Sequence, residues 1–163
     1  MAKKLNSMRL LEQHKVPYEV LSYDGSAFHS ADEVAAMVGY PAAQVFKTLV
    51  VESAKRTAKP WLAVLPGNSE LDLKKMASAA GEKKVQLMPQ KDAERETKLQ
   101  VGGISSLALM HKHWDVYLDV SATDFEHILM SAGERGTQVK VAVTGFVKMV
   151  GATVVDIRAG DNG

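Results

Sequence analysis

AQVFKTLVVE, residues 43–52, carries a lysine through the middle of an otherwise apolar run. Read as a β-strand, its side chains alternate between two faces. Val45, Lys47, Leu49 and Val51 then share one face, and Phe46, Thr48 and Val50 share the other. An ammonium group thus stands where nearly every neighbour favours a dry environment. Among aliphatic side chains a lysine loses hydration in its charged form, so its pKa tends to fall. Poised in that way it serves as a base, a nucleophile or a cation aimed at developing negative charge. The pattern alone equally allows a lysine at a strand end with a packed stem and its head in water.

Outward from this strand the chain mixes helical and extended patterns. Residues 4–15 suit an amphipathic helix with Leu5, Met8 and Leu11 at helical spacing, and YEVLSY (18–23) alternates like a strand. SADE (30–33) is a capping-box pattern opening a short helix that ends at Gly39 and Pro41. After the lysine strand come a polar turn, SAKRTAKP (53–60), and a second strand, WLAVLP (61–66). ELDLKKMASAAG (70–81) is a helix closed by Gly81, KKVQLM (83–88) a strand and PQKDAERETKL (89–99) a helix. The last of these leads into a structured loop, QVGGISSLAL (100–109). WDVYLDV (114–120) alternates again, and HILMSAGERGTQVKVAV (127–143) is a hairpin turning at 132–136. A short helix near GFVKMVG and a final strand, TVVDIR (153–158), follow. Six or seven short strands, joined here by helices and there by a hairpin, predict a mixed α/β fold rather than a purely parallel sheet.

At 163 residues the chain suits one domain, 1–163, large enough to close a core. Its 46% apolar and 24% charged residues are those of an ordinary soluble globular protein. A net charge of +1 excludes a whole-protein field that would grip nucleic acid unaided. With no cysteine there is no disulfide framework, thiolate metal site or cysteine nucleophile. The first residues hold no long apolar run, so neither signal peptide nor membrane span is expected, and the cytoplasm is the expected location.

Several motifs carry little. VGGIS (101–105) lacks the spacing of a dinucleotide fingerprint or a Walker loop, and no GxSxG elbow is present. HKH (111–113) offers two metal ligands with no third nearby, which favours a solvated turn. His14, His29 and His127 read as structural or surface residues. The AKR, LKK and EKK clusters, with Lys59, read as solvated faces or phosphate contacts. Three features remain: Lys47, the loop Gly102-Gly103-Ile104-Ser105, and the tight turn from Ser131 to Gly136. Consecutive glycines let backbone N–H groups approach carbonyl or phosphate oxygens, although glycines in loops are more often simple turn-makers.

At these residues the chain resembles the YbaK family of aminoacyl-tRNA deacylases, which includes the EbsC and ProX-like editing proteins. QVFKTLVV is similar to the family's Q-V-Y/F-K-T-L strand, LDLKK with GEKKVQL to its central helix and strand, VGGIS to its glycine loop, and SAGERG to its S-G-G-x-R-G turn. The blocks keep family order from about Met8 to Asp156. The resemblance implies a mostly antiparallel, barrel-like sheet core surrounded by helices, with a cleft at the lysine strand. It implies hydrolytic editing in trans: removal of a wrong amino acid from the CCA end of a tRNA, most plausibly cysteine from tRNA(Pro), with prolyl-tRNA synthetase as a candidate partner. No cofactor or metal is implied. Carried over by position, Lys47 matches the essential lysine and Tyr23 the functional tyrosine. Thr48, Gly102, Gly103, Ile104, Ser105, Ser131 and Gly133 match positions lining the aminoacyl pocket.

The chain also departs from the family pattern. Lys98 and Leu99 replace the G-Y of a T-G-Y, and Ser106 and Ala108 replace a proline and a glycine after the loop. Ala132 replaces a turn glycine, and Gln138 stands where the Cys-tRNA deacylases carry an acid. Losing the proline frees a fixed φ. Losing the acid changes the charge beside the pocket, so both bear on amino-acid specificity. Two other classes stay in view: a non-catalytic module binding tRNA, a nucleotide or a synthetase, and an unrelated small-molecule hydrolase.

Overall fold

Capping chemistry sets the helix boundaries. A computed structural model describes residues 4–55 and 59–160, so Arg56 of the AKR cluster, with Thr57 and Ala58, lies outside the described residues. Helix α1 (Asn6–Gln13) buries Met8 and Leu11. Helix α2 (Ala31–Val38) opens on the capping box between Ser30 and Glu33 and closes on Gly39 at φ +80°. Asp72 caps α3 (Leu73–Ala80) by accepting from the Lys74 and Lys75 amides, and Gly81 ends it at φ +72°. Both glycines adopt the left-handed conformation that terminates a helix with no Cβ penalty. Helices α4 (Gln90–Thr97) and α5 (Val143–Val150) follow.

Two sheets stand beside these helices. Strands β1 (Tyr18–Ser22), β6 (His127–Ser131) and β7 (Thr137–Ala142) form an antiparallel sheet in the order β1-β7-β6. Strands β2 (Phe46–Ser53), β3 (Trp61–Pro66), β4 (Val85–Leu87), β5 (Val116–Asp119) and β8 (Thr153–Val155) form the other, ordered β4-β2-β3-β5-β8. Here β4, β2 and β3 are antiparallel, whereas β3, β5 and β8 run parallel and need long crossovers. Pairing is mostly antiparallel as expected, and the described residues hold eight strands rather than six or seven. Ala42–Gln44 forms a 3₁₀ turn, so the lysine strand starts later than its pattern suggests.

The apolar character of both β2 faces now has its cause. Phe46 and Val50 face a core shared with Ile128, Met130, Val139 and Val141 of the other sheet and with Phe146 of α5. Leu49 and Val51 face Met76 and Ala77 of α3. The strand is covered on each side, and each face must therefore be apolar. A bridge between Val45 and Leu129 ties the two sheets at the strand's entry.

Candidate active site

Strand β4 is too short to cover its neighbour. It pairs only with Val51, Glu52 and Ser53, and the last contact is the Met88 amide donating to the Val50 carbonyl, 2.9 Å. Alternate residues of a strand direct their backbone groups to the same edge. Thr48 therefore turns its N–H and C=O to the side where β4 is missing. A cavity of about 290 Å³ opens there, walled by β2, the start of α2, the end of β4, the start of α4, the glycine loop and the hairpin. Because it sits at a strand edge, residues from both faces of β2 reach it, Lys47 and Thr48 among them.

Lys47 is half-buried and its Nζ is anchored. It donates to the Ser69 carbonyl at 2.7 Å and to the Gly67 carbonyl at 3.3 Å, both in the loop after β3. An ammonium has three donors, so one remains for a ligand. Burial pushes its pKa below the ordinary lysine value, while the carboxylates of Asp32 and Glu70 partly oppose the shift. Gly67 is required at this place because Ala31, the first residue of α2, packs directly on it.

The glycine loop divides its work. The Gly103 amide donates to the Gln100 carbonyl at 2.8 Å, and Val101 donates to Glu94 Oε2 at 2.8 Å. Gly102 and Ile104 line the cavity, and their amides bond to nothing among the described residues. Of the loop residues that line the cavity, these two keep an unbonded amide. Gly103 is buried instead against the hairpin turn, where a Cβ would lie 3.0 Å from the Glu134 Cα. Ser105 is buried too, and its Oγ accepts from the amides of Leu107 and Ala108, holding the next turn.

Of the residues singled out from the sequence, Lys47, Thr48, Gly102, Ile104 and Ser131 line the cavity. Tyr23, Gly103, Ser105 and Gly133 do not. Tyr23 lies just past β1, its amide on the Gly136 carbonyl and its ring edge-on to His29, centroids 6.3 Å apart. Gly133 donates its amide to Ser131 Oγ at 3.1 Å and thereby fixes that hydroxyl. His29, read as structural or surface, lines the cavity, as do Phe28 and Gln138. Gln138 is only 4% exposed, sits opposite Ser131 on β7, and its Oε1 has no hydrogen-bond partner among the described residues. No sequence periodicity marks Phe28 and His29, which precede α2 in an irregular segment. Among the described residues no three His, Cys, Asp or Glu side chains converge as metal ligands, and His111 and His113 lie on an exposed turn. Of the basic clusters, Lys75 is tied to Asp156 and to the Arg158 carbonyl, whereas Lys83 and Lys84 are exposed.

Comparison with known proteins gives the family and the fold. The crystal structure of a hypothetical protein superposes with a TM-score of 0.82 at 20% identity, covering 93% of this chain and 97% of that one. That of a candidate trans-editing enzyme for prolyl tRNA synthetase gives 0.77 at 20% identity, covering 97% and 100%. At such identities the likeness establishes the fold. In sequence, a candidate Cys-tRNA(Pro)/Cys-tRNA(Cys) deacylase, EbsC, of Enterococcus faecalis is 41% identical over 155 residues, which are 94% of this chain and 93% of that protein. The model of the aminoacyl-tRNA editing domain matches residues 26–149, the stretch that builds every wall of the cavity. The chain belongs to the aminoacyl-tRNA editing domain family.

Proposed function

We propose that the chain acts as one editing domain, a deacylase working in trans that hydrolyses the ester of a small amino acid misattached to tRNA, cysteine on tRNA(Pro) first among them. The observation that carries this reading is one small cavity lined together by Lys47, which keeps a donor in reserve, and by Gly102 and Ile104, whose amides are unbonded among the described residues. Its volume of about 290 Å³ lies at the lower end for ligand pockets, which run from about 300 to 1,000 Å³. That has room for the aminoacyl group of the substrate.

In hydrolysis a water oxygen bonds to the ester carbonyl carbon and gives up a proton. Negative charge gathers on the carbonyl oxygen, where pre-aimed donors lower the barrier most. The amides of Gly102 and Ile104 take that oxygen. Lys47, fixed by the Gly67 and Ser69 carbonyls, supplies the cation beside it. The C–O bond then breaks and the ribose oxygen takes up a proton, leaving free amino acid and uncharged tRNA. Thr48, Ser131 and Gln138 border the amino-acid end, and Tyr23 acts by holding His29.

The sequence relative's name points to Cys-tRNA(Pro), and one structural relative is described as serving prolyl tRNA synthetase. With a net charge of only +1 the chain suits a division of labour, a synthetase holding the tRNA body while the chain takes the CCA end. Such work belongs to the cytoplasm, and no helix among the described residues is long and apolar enough to cross a membrane. The test is deacylation of Cys-, Ala-, Ser- and Pro-charged tRNA(Pro) by wild type and Lys47→Ala, with and without prolyl-tRNA synthetase. Cleavage of one substrate by wild type and none by the variant is expected. A protein that binds these tRNAs but accelerates no deacylation is a binding module instead.

A further inference from the structure

Phe28 is the largest exposed anomaly at the cavity. It lines the opening and is nevertheless 52% exposed. Two segments distant in sequence hold its ring. The Arg135 guanidinium carbon lies 5.6 Å from the ring centroid, within cation–π range. Arg135 Nε donates to the Val101 carbonyl at 2.8 Å, locking the hairpin turn to the glycine loop. Gly102, at φ +89°, brings its bare backbone against both groups: a Cβ there would lie 3.2 Å from the ring and 3.5 Å from Arg135 Nε. The remaining four guanidinium N–H donors have no hydrogen bond or ion pair among the described residues. Leu87, 46% exposed, adds a second apolar side chain to the same opening.

We propose that Phe28 and Arg135 form the seat of the terminal nucleotide, the base stacking on the Phe28 ring and the adjoining phosphate taken by the free guanidinium donors. The proposal rests on the deacylase reading of the cavity. Once the aminoacyl group fills the cavity, the ribose, base and phosphate must lie at its opening, where the exposed ring and the unneutralised cation stand. Unpaired RNA ends are held in this manner, by bases stacked on aromatic rings and arginine planes. Gly102 and Arg135 thereby acquire a role separate from transition-state chemistry: they keep the ring in place.

The test compares Phe28→Ala and Arg135→Gln on aminoacyl-tRNA and on a 3′-aminoacyl adenosine, which has the base but no phosphate. Phe28→Ala should raise KM for both substrates, on the order of tenfold, with little change in kcat. Arg135→Gln should raise KM for the tRNA alone and lower the slope of affinity against salt by about one counterion. Binding of an uncharged CCA oligonucleotide, read by fluorescence anisotropy, separates this proposal from the deacylase reading. If wild type binds the oligonucleotide through Phe28 but cleaves nothing, the seat stands and the deacylase reading fails. If wild type cleaves and Phe28→Ala matches it in KM and in oligonucleotide affinity, the proposal is overturned. It is equally overturned if either variant loses binding only when a synthetase is present, which would assign the surface to a protein partner.

Discussion

Replacing Gly67 by alanine tests how firmly α2 is pinned to the loop that anchors Lys47. The new Cβ would lie 2.1 Å from the Ala31 Cβ and 3.1 Å from the Val45 carbonyl oxygen. Carbon atoms in contact prefer about 3.5–4.0 Å, so the overlap is at least roughly 1.4 Å. Neither Cβ can rotate away, and the loop or α2 must move as a body. Overpacking of this kind costs about 1–3 kcal/mol. At about 2–4 °C per kcal/mol for a chain of this size, the thermal midpoint should fall by roughly 5 °C. Turnover should fall as well, since Gly67 supplies a Lys47 acceptor and Ala31 borders the cavity. Ala31→Gly alone should cost about 0.5–1 kcal/mol through helix propensity. In the double variant the Cβ–Cβ clash is gone, and the nearest atoms are the Val45 oxygen at 3.1 Å and the residue-31 Cα at 3.3 Å. The double variant should therefore be at least as stable as Gly67→Ala, a coupling on the order of 1–2 kcal/mol. Urea unfolding of the four proteins measures it. Penalties that simply add, within about 0.5 kcal/mol, refute the pinning.

Because the Lys47 pKa is lowered on folding, the unfolded chain holds the proton to higher pH and stability rises with pH between the folded and unfolded values. Wild type should gain stability over Lys47→Met from pH 7 to pH 10, roughly the top of that window, in urea melts, while kcat declines along the same limb as the cation is lost; an opposite slope rejects the assignment. Gln138→Leu removes an unpartnered buried acceptor, which costs about 1–3 kcal/mol, and should raise the thermal midpoint. A clear fall in calorimetry would mean that the amide is satisfied. Ser30→Ala removes the hydroxyl that accepts from the Glu33 amide, leaving the residue-30 amide on the Glu33 carboxylate, and should cost about 1 kcal/mol, read by chemical denaturation. Asp119→Ala should cost about 3 kcal/mol, because this fully buried carboxylate accepts from the Ser121 and Ile157 amides and pairs with Arg158. A loss under about 1 kcal/mol in the same melts contradicts it.

Local chemistry was legible in the sequence, and closure in space was not. Ser30, Gly39 and Gly81 mark helix ends because capping involves residues only a few positions apart, whereas Asp72 starts its helix three residues later than the sequence pattern places it. The 127–143 hairpin is readable for the same reason. The two apolar faces of β2 already reported that the strand is enclosed, yet nothing in them says that β4 stops short and opens an edge at Thr48. Lys47 and Gly102 were found through their unusual neighbours. Phe28, Val101 and Arg135 meet across more than a hundred residues, and no spacing rule links them. The loop glycines were read as one unit, whereas Gly102 faces the cavity and Gly103 faces the hairpin.

Among the described residues strand β1 pairs only with β7, Tyr18 opposite Val141, and the Ser7 hydroxyl of α1 donates to the Ala132 carbonyl. On a ribosome the first twenty-odd residues therefore wait for the last quarter of the chain. At about 5–20 residues per second that delay is on the order of 10 s. Throughout it Met8 and Leu11 have no core to enter, and β1 offers a bare edge to any passing strand. Glu19 within β1 and Lys15 just before it are exposed, and charges so placed discourage an unpaired segment from adding to the wrong chain.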